Sequence, residues 1–270
     1  MNAKRATVVV EDTIPPVPAA MFRPIRSARA FEEIAQQIRT EVSEGRLKPG
    51  SRLPAERTLS EQFGVSRNTL REALRSLEHA GLIRLQRGAA GGAFIGEHND
   101  EAISTSLMDM YHLGAVKPQQ LTEARIWLES IIVREACRRA KPADIKTLNT
   151  NIDATERALM EGDFLRRVET NLNFHRLLAH MTANPIMVTV MNGVLDVLRE
   201  FVLKIGNYDN SSYVLPSRRR FMKHFAARDA EAAVIEMESS LKKLQRSYLS
   251  RDDALKDAPP SRRFQARTLR

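Results

Sequence analysis

The amino-acid sequence predicts a mainly α-helical protein, in which an N-terminal winged helix-turn-helix precedes a C-terminal antiparallel bundle of helices. Apolar residues recur at helical spacing through most of the 270 residues. Alternation typical of strands is confined to residues 82–95, where glycines cluster. Because long helices joined by short connections pack against each other, the rest of the chain is expected to form a bundle.

The first two helices are defined by periodicity and by their end signals. Ile34 and Ile38 share one helical face, and Gly45 ends that helix. A second, shorter helix is expected over residues 56–63. Gly64 then supplies the positive φ that the turn of a helix-turn-helix requires.

The third helix has one apolar face and one cationic face. Ser66 is a suitable N-cap, because its hydroxyl can accept a first-turn N–H. A short helix with an apolar side and an arginine side fits the major groove of DNA, whereas a merely solvated face is the alternative. The order of glycine turn, cap, arginine face and glycine-rich hairpin favours DNA binding. The apolar positions are Leu70, Ala73, Leu74 and Leu77, and the cationic ones are Arg67, Arg71 and Arg75.

The run PAERTLSEQFGVSRNTLREALRSLEHAGLI, followed by a glycine-rich wing, resembles the winged helix-turn-helix of GntR-type bacterial transcription regulators. The resemblance covers residues 31–95, and we expect Arg67 and Arg71 to lie at or near bases. Two further arginines, Arg57 and Arg87, are expected at phosphates. The DNA-binding residues expected in this way are Arg57, Ser66, Arg67, Asn68, Thr69, Arg71, Arg87 and Gly88.

The tip of the wing departs from the family pattern. Members of the family often carry a basic residue there, but this chain has Ala89 and Ala90. Arg87 is expected to supply the missing charge.

Composition divides the chain into five segments. Residues 1–27 hold several prolines and few large apolar residues, so a flexible arm is expected. The winged helix-turn-helix is assigned to residues 28–96 and a polar linker to residues 97–102. A helical effector-binding and dimerisation domain is expected over residues 103–252, and a basic disordered tail over residues 253–270.

The second domain is expected to contain six or seven helices. Pro142 and Pro185 stand at first-turn positions that tolerate proline, and Asp163 is an N-cap. The helix that begins at Pro185 is apolar nearly all round, which is typical of a central, buried helix. A loop is expected at residues 206–213. The predicted helices span residues 103–113, 117–140, 142–162, 164–181, 185–205, 216–227 and 229 onward.

An all-helical second domain resembles the fatty-acid-regulator branch of the same family, whose effector domain is of the FCD type. The chain is too short for the aminotransferase-like domain of another branch, and it lacks the strands of an α/β ligand domain. The effector domain of the fatty-acid-regulator branch opens with an Arg–x–x–x–Glu pair, matched here by Arg125 and Glu129.

Most members of that branch hold a divalent metal with an aspartate, a histidine one turn later and two histidines from the final helices. The resemblance places Asn171 at the aspartate position and His175 at the first histidine. Arg218 and Ser240 stand at the two later histidines. An amide, a hydroxyl and a guanidinium cannot replace a carboxylate and two imidazoles around such an ion, so we expect neither a metal nor another cofactor.

The same positions are candidates for binding an effector. A buried arginine needs an anion, which for Arg125 is either Glu129 or a ligand carboxylate or phosphate. In the second case His175 and Asn171 would donate hydrogen bonds to the ligand. The candidate effector-binding residues are Arg125, Glu129, Asn171, His175, Arg218 and Ser240.

Charge and cysteine content complete the functional hypothesis. A net charge of +9 favours a polyanionic partner. The single cysteine, Cys137, excludes an internal disulfide and fits a cytoplasmic protein, and no apolar run has the length of a membrane span. We therefore predict a cytoplasmic homodimer that binds a double-stranded DNA operator, represses transcription and responds to a small carboxylate or thioester. A ligand-independent architectural DNA-binding protein, or an enzyme that uses the helical domain, is the alternative.

Overall fold

The computed structural model describes residues 28–88, 91–96, 100–206 and 211–257. The described residues divide into two compact units: the first comprises those up to 78 together with 85–95, and the second comprises 79–84 together with those from 96 onward. The predicted N-terminal arm, residues 1–27, and the last residues of the predicted tail, 258–270, lie outside the described residues.

The first unit contains three helices whose ends follow the sequence signals. They are α1 (Ala28–Ser43), α2 (Glu56–Phe63) and α3 (Arg67–His79). Gly64 has the left-handed φ of 63° and ends α2, and the Ser66 hydroxyl accepts the backbone N–H of Thr69 at 3.1 Å. The apolar face of α3 is buried, so the predicted helix-turn-helix is confirmed.

The wing consists of β1 (Ile83–Gln86) and β2 (Gly92–Ile95). Residues 51–53 extend along the other side of β2, where Leu53 N–H donates to the Ala93 carbonyl at 2.8 Å and Ile95 N–H donates to the Ser51 carbonyl at 2.8 Å. This segment follows the turn after α1 and was not predicted to pair with the wing. Its hydrogen bonds hold β2 against the segment that leads into α2.

Within the described residues, the second unit is a bundle of seven helices. The helix α8 packs against α4, α5, α7 and α10, and ten of its residues are buried, which confirms its central position. Asp163 and Asp229 cap α7 and α10 by accepting first-turn N–H groups. The helices are α4 (Asp100–His112), α5 (Pro118–Arg139), α6 (Pro142–Met160), α7 (Phe164–Met181), α8 (Pro185–Ile205), α9 (Ser211–Ala226) and α10 (Ala230–Asp257).

Two helices begin earlier than the sequence predicts. The helix α4 begins at Asp100, inside the predicted linker 97–102. The helix α9 begins at Ser211, within the predicted loop, and contains Pro216. Burial of Val214 stabilises the extra turn, and Pro216 removes only one N–H donor from the helix.

The last helix also exceeds its predicted length. The helix α10 continues to Asp257, so residues 253–257 of the predicted tail are helical. Buried Asp252 lies 2.7 Å from the Lys256 ammonium, one turn later, which favours the continued helix. None of the described helices is both long and apolar enough to cross a membrane.

Candidate DNA-binding surface and effector pocket

The start of α3 presents polar side chains to solvent. Arg67, Asn68 and Arg71 are exposed, opposite the buried apolar face. Thr69 is partly buried, and its hydroxyl lies 2.9 Å from the Ser66 hydroxyl. Thr69 and Ser66 therefore fix the beginning of the helix, while the three exposed residues remain available for contact.

Two of the candidate DNA-binding arginines face carboxylates within the first unit. Arg71 Nε lies 2.8 Å from Glu56 Oε2, and Arg57 Nε lies 3.6 Å from Glu61 Oε1. These side chains are all at least 42% exposed, so the pairs contribute little to stability and can exchange for phosphates. Within the described residues, Arg67 has no ion pair.

At the base of the wing tip, Arg52 makes contacts that its sequence pattern did not indicate. Arg52 donates to the Gly91 carbonyl, and its guanidinium lies over the Phe94 ring at 5.7 Å. Only its place in the turn before α2 could have suggested this role. Arg87 and Gly88 are exposed, with Gly88 at a φ of 105°, whereas Ala89 and Ala90 lie outside the described residues.

Four polar or charged side chains meet inside the helical unit. Arg125 and Glu129 stand one turn apart on the buried face of α5, and α7 and α9 contribute His175 and Arg218. Their exposed fractions are 4%, 0%, 2% and 7%, respectively. Burial of charge to this extent requires specific partners.

His175 lies between Glu129 and Arg218. Its Nδ1 is 2.5 Å from Glu129 Oε1. Its Nε2 is 3.3 Å from Arg218 Nη2. Glu129 thus contacts His175, and no ion pair joins it to Arg125 within the described part of the chain.

Arg218 is held by three neighbours. Besides its contact with His175, Nη2 donates to the backbone carbonyl of Asn171 at 2.9 Å. Its guanidinium carbon lies 4.0 Å from the centroid of the Phe174 ring, which is a cation–π contact. Asn171 therefore reaches Arg218 through its backbone, rather than through the amide side chain on which the sequence hypothesis relied.

Burial and neighbouring charges shift the pKa values of two members of the cluster, His175 and Arg218. Burial lowers the pKa of His175 to about 4, although the Glu129 carboxylate opposes the shift. Burial, followed by the charge of Arg125, lowers the pKa of Arg218 to about 9. At neutral pH the imidazole is neutral. Because Arg218 faces Nε2, we assign the imidazole proton to Nδ1, which faces Glu129.

Several buried polar atoms at the cluster have no hydrogen-bond partner within the described residues: Arg125 Nε, Glu129 Oε2, Asn171 Oδ1 and Arg218 Nη1. Buried polar atoms in proteins are nearly always hydrogen-bonded. Arg125 also lines a crevice between α5 and α10, together with Thr122, Ile126, Leu241, Leu244, Gln245 and Tyr248. Of the four clustered residues, Arg125 lines this crevice and the other three do not, and its guanidinium is a donor of the kind that pairs with an anion.

The donor set does not fit the metal ion that the family resemblance implies. Arg218 stands against Nε2 of His175, and a guanidinium is a cation without a lone pair for an ion. No group of three or more histidine, cysteine or acidic residues suited to a metal occurs among the described residues. Ser240 is partly buried on α10, and no hydrogen bond links it to the cluster within the same residues.

Two family models match the chain. Residues 30–94 match the model described as bacterial regulatory proteins, gntR family, and residues 120–243 match the FCD domain. Among solved structures, Streptococcus agalactiae GntR has a TM-score of 0.59 and 22% identity, over 80% of this chain and 99% of that chain, which supports the fold.

Curated relatives are similar over most of their length. An uncharacterized HTH-type transcriptional regulator of Mycobacterium tuberculosis is 30% identical over 228 residues, covering 83% of this chain and 91% of that protein. The Uxu operon transcriptional regulator of Escherichia coli is 27% identical over 227 residues, covering 82% and 87%. The HTH-type transcriptional repressor NanR of an Enterobacter species is 26% identical over 179 residues, covering 65% and 67%.

Proposed function

Because this chain belongs to the GntR family of bacterial transcription regulators and carries an FCD domain, we propose that it binds a pseudo-palindromic operator as a homodimer. A two-fold dimer presents two recognition helices to half-sites related by the same symmetry. A small organic acid or acyl thioester releases the operator. Members of the family are regulators rather than enzymes, so the catalytic alternative falls away.

The observation that carries the proposal is the exposed, polar start of α3. Its buried face anchors the helix, Ser66 fixes its first turn, and Arg67 is exposed and free of ion pairs within the described residues. Arginine at such a position can donate two hydrogen bonds to a guanine in the major groove. The net charge of +9 supports attraction to DNA.

The sign of regulation and the location follow from the same reasoning. A relative named as a transcriptional repressor supports repression. An operator on a bacterial chromosome places the protein in the cytoplasm. Ligand binding in the helical unit would shift the population of dimers towards a spacing of recognition helices that fits the operator poorly.

The test is operator affinity at fixed salt, with DNA taken from beside the protein's own gene. Arg67→Ala should weaken specific binding by about tenfold or more, because a lost bidentate base contact costs about 1–3 kcal/mol. Arg138→Ala removes an equally charged, exposed arginine from the helical unit and should leave affinity unchanged. Equal affinity for operator and unrelated DNA would instead identify an architectural DNA-binding protein.

A further inference from the structure

We propose that the guanidinium of Arg218 takes the place of a metal ion, so that the pocket binds a small hydroxylated monocarboxylate without a divalent cation. This inference rests on the proposed effector role of the helical unit. It concerns the class of ligand that the side chains of this protein would select. Membership of the family does not determine that class.

The first argument is the position of Arg218. Its Nη2 contacts both His175 Nε2 and the Asn171 carbonyl, and the Phe174 ring covers its guanidinium. A neutral imidazole and a carbonyl are acceptors that suit a cation. Arg218 is therefore a fixed, buried positive charge inside the helical unit, built into the chain rather than acquired from solution.

The second argument is the balance of charge. Arg125 and Arg218 carry two positive charges, and among the described residues Glu129 is the only carboxylate that acts electrostatically on Arg218 or His175. His175 is neutral at pH 7, so the described groups of the cluster sum to one excess positive charge. A monoanion cancels that charge, whereas a neutral ligand leaves it and a dianion reverses it.

The third argument is the set of unpaired atoms. Arg125 Nε and Arg218 Nη1 are buried donors without a partner among the described residues, and a carboxylate is the kind of acceptor that each of them lacks. Asn171 Oδ1 and Glu129 Oε2 are buried acceptors without a partner among the described residues, and they require a donor. A ligand that carries one carboxylate and one hydroxyl supplies both kinds of partner.

Access favours a small ligand. Arg125 lines the crevice between α5 and α10, where the side chain of Gln245 donates a 2.9 Å hydrogen bond to Thr122 across the two helices. Large aliphatic and aromatic side chains form the remainder of the wall. A two- or three-carbon acid reaches Arg125 with less displacement of these helices than a long acyl chain does.

The test is the thermal unfolding of the full chain after treatment with a chelator, at constant pH and ionic strength. Glycolate and L-lactate should raise the unfolding temperature by about 3–6 °C at ten times their Kd. At the same concentration as glycolate, propionate should stabilise less, because it lacks the hydroxyl, and lactamide and malonate should stabilise least. Addition of Zn²⁺ should not increase the response to glycolate or L-lactate.

Arg218→Gln should abolish the acid-induced shift, whereas Arg219→Gln should preserve it. Arg219 is the matched control, because it follows Arg218 on α9 but pairs with Glu156 at the surface. If Arg218→Gln does not fold, Asn171→Leu tests the same pocket by removing the hydroxyl acceptor, and the glycolate response should fall to that of propionate. A shift that survives Arg218→Gln, a shift that requires Zn²⁺, or the absence of any acid-induced shift would overturn the inference.

The failure of this inference can be separated from failure of the proposed function. Operator binding by a protein that ignores all of these acids would overturn the inference alone. Acid-induced stabilisation of a protein that binds no operator would overturn the proposed regulation and leave the pocket chemistry intact.

Discussion

Arg71 and Glu56 form an ion pair between the two helices of the helix-turn-helix, with 2.8 Å between Arg71 Nε and Glu56 Oε2. The pair places a carboxylate beside a side chain that is a candidate for contact with DNA. Both side chains are more than two-fifths exposed, so the pair contributes little to folding. Its main consequence is electrostatic, since Glu56 competes with DNA for Arg71.

Glu56→Gln should therefore increase operator affinity. Removal of a negative charge from the DNA-facing surface should strengthen binding by about two- to fivefold at low salt, and less at high salt because the interaction is screened. Fluorescence anisotropy of labelled operator over a range of salt measures this. Glu231→Gln removes a comparable exposed carboxylate, paired with Arg134 in the helical unit, and serves as the control. An unchanged affinity for Glu56→Gln would show that Arg71 stays out of the interface.

Ser66→Ala should weaken both the fold of the first unit and its binding to DNA. The Ser66 hydroxyl accepts the Thr69 N–H, and loss of such a cap costs about 1 kcal/mol. The frayed turn contains Arg67 and Asn68, so operator affinity should fall more than affinity for random DNA. Urea unfolding and anisotropy measure the two effects. Asp163→Ala removes the corresponding cap of α7 and should alter stability alone.

The side chain of Arg228 caps the C-terminal end of α5, although its own backbone is strained. It has a φ of 62°, and it donates to the carbonyls of Cys137 and Ala140. Arg228→Ala should lower the free energy of unfolding by about 1–3 kcal/mol, because it removes both bonds and keeps the strain. Arg228→Gly should cost less, since glycine adopts positive φ readily. Equal stability of Arg228→Ala and the unmodified chain, measured in urea, would contradict this account.

The parts of the structure that local signals determine could be predicted from the sequence. Gly64, Ser66 and Asp163 act on their immediate neighbours, and each forms the turn or cap that its type favours. The start of α9 could not be predicted in this way. There, burial of Val214 in the bundle outweighs the usual effect of Pro216, and that burial depends on distant residues.

In the candidate pocket too, the features set by local sequence could be predicted, whereas the contacts between distant residues could not. The i, i+4 spacing places Arg125 and Glu129 on one face of α5, but it does not show which partner each one finds. The packing of α7 against α5 sets His175 beside Glu129 and leaves Arg125 at the crevice. Such contacts join residues far apart in sequence, and their geometry is a property of the packed bundle.

The buried histidine predicts a loss of stability in acid. Burial lowers the pKa of His175 from 6.5 to about 4, so between these values the unfolded chain binds a proton that the folded chain does not. The free energy of unfolding should consequently decrease as the pH falls from 6.5 to about 4, by up to about 3 kcal/mol from this residue. Urea unfolding at a series of pH values measures the slope.

His175→Gln cannot take up this proton, so its stability should change less over the same pH range than that of the unmodified chain. His112→Gln, an exposed position at the end of α4, should retain the full slope. Equal slopes in all three proteins would mean that His175 is protonated in the folded state, and that Glu129 holds an imidazolium against the neighbouring guanidiniums. In that case the pocket would carry two excess positive charges, and a dianion such as malonate would become the better ligand.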